Sequence, residues 1–496
     1  MKTLLLFVLF PLFAFGQYQR VSFEATPAQF KVIASKGVAL DHLVKNDRSF
    51  IGEFSAAETV IIQRDASNVV ILIADLAKYN RERYQKDRQK ASRPSAALPK
   101  YFGYGSLLGY LTYGELMKKL DTIIAAYPKL ISTKSVIGKT AQGKDIISFK
   151  ISDNPNSKEK EPEVLYTAMH HAREPMSMMQ MLYFVCAILE KYPNDTSIQR
   201  MVNNTELYFI PCVNPDGYVY NEEQYKLGGS YFWRKNRKVT SDTTIGVDLN
   251  RNYEYQWGYD DIGSSPFLYS DTYRGKSAFS ELETQTIRDF CSMHTFKGTL
   301  NYHAFSNVFI YPFGTDTICS APDADVFEKY AEALTSFNGY QHGTGYQTLS
   351  YTTNGNSDDW MYGEQIAKPK IFSFTPEVGS REDGFWPPFD RILPLCEDNF
   401  LANVTFANLW SLGSVTGVAN TAIQSFELYP NPANKQLFFT PFDGSCVIQS
   451  VTGQVLLEAP AQSGNITVET LSPGVYLCYL KNKSERSAVQ KLMITQ

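Results

Sequence analysis

From Val164 the chain reads VLYTAMHHAREPMSMMQMLYFVCAIL, and this stretch constrains the fold more than any other. Val164 to Met169 is an apolar run of strand length. The apolar stretch from Glu174 to Leu189 is too long for a strand and reads as a helix, with Pro175 in its first turn, where a missing N–H costs nothing. Further runs repeat the alternation: a helix from near Tyr113 through Ile124, and strands in Leu207 to Val213, Thr299 to His303 and Lys370 to Thr375. Strands alternating with helices over residues 101–412 predict an α/β sheet with helices on its faces.

The flanks differ in texture. Lys2 followed by the apolar run Leu4 to Phe15 and the small-x-small site Ala14-Phe15-Gly16 reads as a secretory signal peptide over residues 1–16. The run is too short to span a bilayer. An exported chain beginning near Gln17, without an integral membrane segment, is expected. Residues 17–100 form a compact module in which Val69 to Leu76 reads as a buried strand. The basic stretch after it, through Pro94, is expected to be exposed and cleavable. Residues 413–424 have linker composition. From residue 425 to 496 short strands alternate with turn signals (YPNPAN, FDG, VTG, QSG, LSPG), which predicts a small all-β sandwich.

The 47 basic and 51 acidic residues leave a formal charge of −4, which argues against a nucleic-acid partner. Seven cysteines in 496 residues are too few for a disulfide scaffold, and the odd number leaves at least one thiol unpaired. Of the six histidines, His171 and His303 sit at predicted strand ends, as do Glu174 and Glu377. Open α/β sheets bind ligands outside the carboxyl ends of their strands, so these four side chains can converge. Two imidazoles and a carboxylate with one open position form the donor set of a catalytic zinc site, and a second carboxylate can take a proton from water there. H-x-x-E alone is a weak signal. His170 is a rival ligand, although the spacing favours His171. Met176, Met178, Met179 and Met181 read as core filler. His42, His294 and His342 are expected to have no functional role.

Eight motifs follow one another in order: HARE, PCVNPDGY, FWRKNR, VDLNRNY, NYHAFS, YPFG, GNSDDW and TPEVG. Together, across about Gly103 to Leu412, they resemble the zinc carboxypeptidase family of carboxypeptidases A and B. The resemblance implies a mixed, mostly parallel open sheet and hydrolysis of the C-terminal peptide bond of peptides and proteins. It implies one zinc ion held by His171, Glu174 and His303, with Glu377 as general base toward the zinc-bound water. Arg234 would stabilise the developing oxyanion, and Asp248 would support a zinc histidine. Asn250 and Arg251 would grip the substrate's terminal carboxylate, Tyr351 would close over it, and Arg173 would add a contact. Arg suits such a clamp because its planar fork matches a carboxylate bidentately. Asp358 stands where carboxypeptidase B carries the Asp of its specificity pocket, which implies a preference for C-terminal Lys or Arg. The competing reading of Asp358 is a loop network with Asp359.

The chain departs from the digestive enzymes in carrying Tyr231 and Phe232 near a position where they have a further Arg. It also has Thr244 in place of a disulfide Cys and Ala304 after His303. Residues 17–100 occupy the place of a pro-segment. The C-terminal module, through LYPNPAN and LSPGVYLCYLKN, resembles the sorting domain of type IX secretion. That implies engagement of the secretion machinery and release or surface attachment, and Cys446 and Cys478 could pair within it. Alternative readings are a cell-wall peptide hydrolase on the same fold and a metal-free peptide-binding protein.

Overall fold

The computed structural model describes residues 17–40, 42–46, 49–90, 98–242, 244–411, 427–450, 455–482 and 490–495. The expected signal peptide, the 413–424 linker and the end of the cleavable stretch (91–94) lie outside these residues.

An N-terminal module contains β1 (Tyr18–Glu24), β2 (Val44–Asn46), β3 (Ser49–Ser55) and β4 (Ser67–Ile73). They form an antiparallel sheet in the order β2-β3-β1-β4. Two helices, Pro27–Ser35 and Ala56–Asp65, pack on it, each opened by a capping box. In these boxes Thr26 with Gln29, and Ser55 with Glu58, satisfy orphan N–H groups reciprocally. Val21, Phe23, Ile33, Val38, Leu40, Leu43, Phe54 and Ile62 form the module's own core. β4 was expected to be buried. It is instead an edge strand, paired on one side only, and Val70, Ile71 and Leu72 are exposed.

The basic stretch that follows was expected to be exposed. It forms a helix, Leu76–Lys90, as far as Lys90. Leu76, Ala77 and Asn80 are buried along one side of the helix. Arg83 Nη2 donates to the Trp386 carbonyl at 3.1 Å, and Arg81 donates to the carbonyls of Gly228 and Gly229 at 3.0 Å. Tyr84 packs edge-on against Phe389.

The central domain holds β5 (Ser135–Lys139), β6 (Asp145–Ile151), β7 (Glu163–Ala168), β8 (Glu206–Ile210), β9 (Phe296–Tyr302), β10 (Val308–Ile310), β11 (Gln341–Gly343) and β12 (Phe372–Glu377). The eight strands run in the order β11-β10-β12-β9-β7-β8-β6-β5. β12, β9, β7 and β8 are parallel neighbours, whereas β6 and β5 add antiparallel strands at one edge. Every residue of β7 is buried. Val164, Tyr166 and Ala168 join the core on one face and Leu165 the core on the other, as period-two alternation requires when helices cover both faces. The first core takes in the helices Tyr113–Ala126, Pro175–Lys191 and Phe389–Ser411, and the second takes in Leu282–Ser292. Met176, Met178, Met179 and Met181 lie in the first core.

The C-terminal module has two sheets sharing one core. β13 (Leu428–Tyr429), β14 (Gln436–Phe439) and β17 (Asn465–Thr467) form one. β15 (Ser445–Ser450), β16 (Val455–Pro460), β18 (Gly474–Lys481) and β19 (Gln490–Ile494) form the other. Cys446 and Cys478, on neighbouring β15 and β18, are free thiols with sulfurs 3.5 Å apart, and the other five cysteines are also free.

Candidate metal centre and substrate cleft

The turn after β7 delivers His171 and Glu174, and the end of β9 delivers His303. Glu174 is the N-cap of the helix Pro175–Lys191, yet its side chain makes no capping bond. Its carboxylate faces two imidazoles instead. Oε1 lies 2.8 Å from His171 Nδ1, and Oε2 lies 2.8 Å from His303 Nδ1. The two Nδ1 atoms are 3.1 Å apart. Ser177 Oγ ties the Glu174 carbonyl at 2.6 Å, fixing the turn that aims the carboxylate. Burial raises the Glu174 carboxyl, but His171 and His303 more than offset this and hold it well below the usual carboxylate range.

On the far side of the His171 ring, Nε2 lies 3.1 Å from Asp248 Oδ1. Asp248 Oδ2 accepts from Arg234 Nε at 3.0 Å and Nη2 at 2.9 Å. Burial would raise the Asp248 carboxyl, and Arg234 followed by His171 keep it strongly depressed. A carboxylate so placed takes the Nε2–H and leaves the Nδ1 lone pair pointing at Glu174 and His303. Lone pairs facing one another at these distances repel unless a cation sits between them. Two imidazole nitrogens and a carboxylate are the donors zinc prefers, so this set fits the metal.

Glu377 ends β12. It is held beside His303 by backbone bonds: His303 N to Pro376 O at 2.9 Å and Val378 N to His303 O at 3.0 Å. Asn250 Nδ2 lies 3.3 Å from His303 Nε2, and Asn250 Oδ1 accepts from Ser357 N at 2.9 Å. Arg251 donates to the Asn250 carbonyl at 2.7 Å. One cleft is lined by His171, Asn250, Arg251, Tyr351, Asp358 and Glu377. Asp358 Oδ1 accepts from Asn301 Nδ2 at 2.7 Å and from the Ser373 hydroxyl, and Oδ2 accepts from Thr375 Oγ1 at 2.6 Å. Burial raises its carboxyl, opposed by these donors. Its neighbour Asp359 turns to Gly314 N and Asn356 Nδ2, and burial pushes it up to about 8. The two aspartates therefore have separate hydrogen-bond partners, although the Asp358 charge adds to the rise of Asp359.

Arg173 is buried, donating to Asp271 at 3.1 Å under the rings of Tyr18 and Phe385. Tyr18 belongs to the N-terminal module, whose hydroxyl also donates to Asp271. His170 turns away to the Tyr253 hydroxyl at 2.9 Å. His294 lies against Glu163, and His342 between Thr335 and Glu328.

His42 departs from expectation. A lone histidine in a segment without motif spacing carries no ligand signal, but the fold inserts it into the cluster. His42, His171 and Glu174 bring their donor atoms within 4.8 Å of one another. The aromatic departures noted in the sequence also serve the N-terminal module. Phe232 stacks on Tyr18 with centroids 5.4 Å apart, and Tyr231 donates to the Ala77 carbonyl at 3.2 Å.

Residues 116–402 match the family model of zinc carboxypeptidases, and residues 427–495 match that of the secretion system C-terminal sorting domain. Carboxypeptidase A1 of Bos taurus is 31% identical over 358 residues, covering 70% of this chain and 80% of that protein. A zinc carboxypeptidase of Saccharothrix mutabilis subsp. capreolus is 32% identical over 294 residues, covering 56% of this chain and 64% of that one. The crystal structure of carboxypeptidase A from Helicoverpa armigera superposes with a TM-score of 0.65 at 21% identity, covering 81% of this chain and 99% of that chain, and so shares the fold. Among the described residues no helix is long and apolar enough to cross a membrane. With its ordered motifs, its strand-end cluster and these matches, the chain belongs to the zinc carboxypeptidase family.

Proposed function

We propose that this is an exported zinc metallocarboxypeptidase that removes single residues from free peptide C-termini, with a preference for Lys and Arg. The observation that carries the reading is the convergence of His171 Nδ1, His303 Nδ1 and the Glu174 carboxylate beside the cleft that His171 lines together with Arg251, Asp358 and Glu377. Zinc bound to that set would supply Lewis acidity and lower the pKa of water. Glu377 takes a proton from the attacking water and passes it to the departing amine, so the C–N bond breaks with protons balanced. Arg234, buried beside the cluster, offers its charge to oxygen that becomes negative only in the transition state. Arg251 and Asn250 hold the terminal carboxylate and Tyr351 covers it, so only the last peptide bond reaches the metal. Asp358 retains lone-pair capacity toward a basic side chain entering the cleft. Residues 17–100 act as a pro-segment. The signal peptide and the sorting module together direct export, with surface attachment or release as the end point.

The test uses protein cut free of residues 17–97 and blocked peptides differing only in the last residue, with and without a zinc chelator. Mass spectrometry reads the residue lost. Chelator-sensitive loss of a terminal Lys or Arg is the expected result. Loss of apolar residues instead overturns the Asp358 assignment but keeps the chemistry. No loss from any peptide by zinc-loaded protein overturns the exopeptidase reading.

A further inference from the structure

The N-terminal module covers the cleft, and at its point of deepest entry stands one side chain able to ligate a metal. Val38, Leu40 and Leu43 are buried in the module's own core. They anchor a short segment from which His42 projects the other way, into the catalytic domain. Gly37, at the start of the segment, adopts φ +80°, and its carbonyl accepts from Ser270 Oγ of the catalytic domain at 2.7 Å. A side chain there would press on Ser270 and Ser265, so the approach needs glycine both for the dihedral and for the space.

The catalytic domain has a fitted berth for the ring. His42 is 5% exposed. It lies edge-on to Phe385 with centroids 4.8 Å apart and stacks on Phe305 at 5.8 Å. Its Nε2 is 3.5 Å from Glu174 Oε1 and 3.3 Å from Arg234 Nη1. A guanidinium has only N–H groups to offer, so the nitrogen facing it must present a lone pair. That lone pair lies within reach of the carboxylate on which His171 and His303 converge. The other nitrogen, Nδ1, is turned toward Glu377 Oε2, 4.0 Å away.

Catalytic zinc sites keep one position open for water or substrate, whereas structural sites are closed by four protein donors. We infer that His42 is a removable fourth ligand: with the N-terminal module seated it closes the His171–Glu174–His303 site, and with the module gone it leaves that site open. The same imidazole stands between the metal donors and Glu377, so it keeps water from both. The inference rests on the zinc site proposed above. It adds to steric covering a bond from the module to the metal itself, which makes the metal part of what holds the module down. Zinc would then bind more tightly to the intact chain than to the cut one, the reverse of the usual expectation that a cover hinders loading.

The experiment compares intact chain (residues 17–496) with the same protein cut free of residues 17–97, both loaded with Zn2+ and studied by X-ray absorption at the zinc edge. The expected result is scattering from three imidazoles in the intact protein and two in the cut one. Co2+-loaded samples should show a matching change in visible absorption. His42→Ala in the intact chain should give the two-imidazole signature and raise the zinc dissociation constant at least tenfold. Two imidazoles in the intact wild type, with an unchanged Co2+ spectrum after cutting, would overturn the inference. The wild-type pair needs no variant, so a misfolded His42→Ala protein does not block the decision. A His171→Ala control separates the premises: if that variant keeps its zinc, the zinc-site reading fails, whereas zinc held through His171 with two imidazoles in the intact chain defeats the His42 ligand alone.

Discussion

At one end of the cleft, His171, His303 and Glu174 turn their lone pairs on one another at 2.8 to 3.1 Å. At the other, Asp358 is ringed by an amide and two hydroxyls that donate to it. Both ends are buried and both carry carboxylates, yet the protein treats them oppositely. Glu174 is held ionised in a group that lacks only a cation between its donors. Asp358 has neutral donors, and burial draws its carboxyl upward. A cluster that needs a cation takes it as a permanent resident. Under the proposed function, a carboxylate already satisfied by neutral donors would accept a transient one from a substrate side chain, at a smaller energetic gain. The metal end should therefore respond to substitution by orders of magnitude, and the Asp358 end by ratios.

The sharpest test of that asymmetry is Glu377→Gln, which should lower kcat by about 10^2 to 10^4-fold with zinc content unchanged. Retained turnover would break the role given to Glu377. Asp248→Asn acts one step further out. It should weaken zinc binding about 10 to 100-fold, measured by competition with a chelator, because the His171 tautomer is no longer enforced. Asp358→Asn should leave zinc untouched and lower kcat/KM for Arg-terminated peptides about tenfold relative to Leu-terminated ones, a loss of roughly 1.4 kcal/mol of discrimination. Equal losses on both peptides would show that Asp358 only supports the wall. Asp359 bears on stability rather than on turnover. Its carboxyl is raised to about 8, so the folded state holds its proton where the unfolded chain has released it. That contribution is fully present below the unfolded value near 4 and is lost as pH rises toward 8. Asp359→Asn should thus flatten the fall in thermal stability between pH 5 and 8, and an unchanged slope would remove Asp359 as its source.

The sequence was most legible where function required several residue types at fixed spacing on sheet elements. His171, Glu174, His303 and Glu377 were singled out because each stands at the end of an apolar run, and the structure sets all four at the ends of β7, β9 and β12 or in the turn after them. The link between Arg234 and Asp248 was not legible, since two motifs named separately carry no sign that their side chains meet. The placement of His42 beside the cluster was not legible for a deeper reason: it is set by the docking of one module on another, and nothing in residues 17–100 has a period that reports docking. Docking likewise sets the surroundings of Tyr231 and Phe232, which meet Ala77 and Tyr18. The basic stretch is largely exposed, as its composition suggested, but its contacts were not legible. Its charged side chains reach backbone carbonyls of the neighbouring domain, which sequence does not display.

The helix Leu76–Lys90 holds to the catalytic domain through Arg81, Arg83 and Tyr84, all upstream of residues 91–97. A protease cutting within 91–97 would sever one peptide bond and none of those contacts. Nicking then only turns a tethered partner into a free one, exchanging a high effective concentration for the real concentration in solution. If residues 17–97 act as the proposed pro-segment, the time course of activation would show a lag set by dissociation. The lag itself would not change on dilution, but release would go further toward completion, and it would stall where the freed module accumulates undegraded.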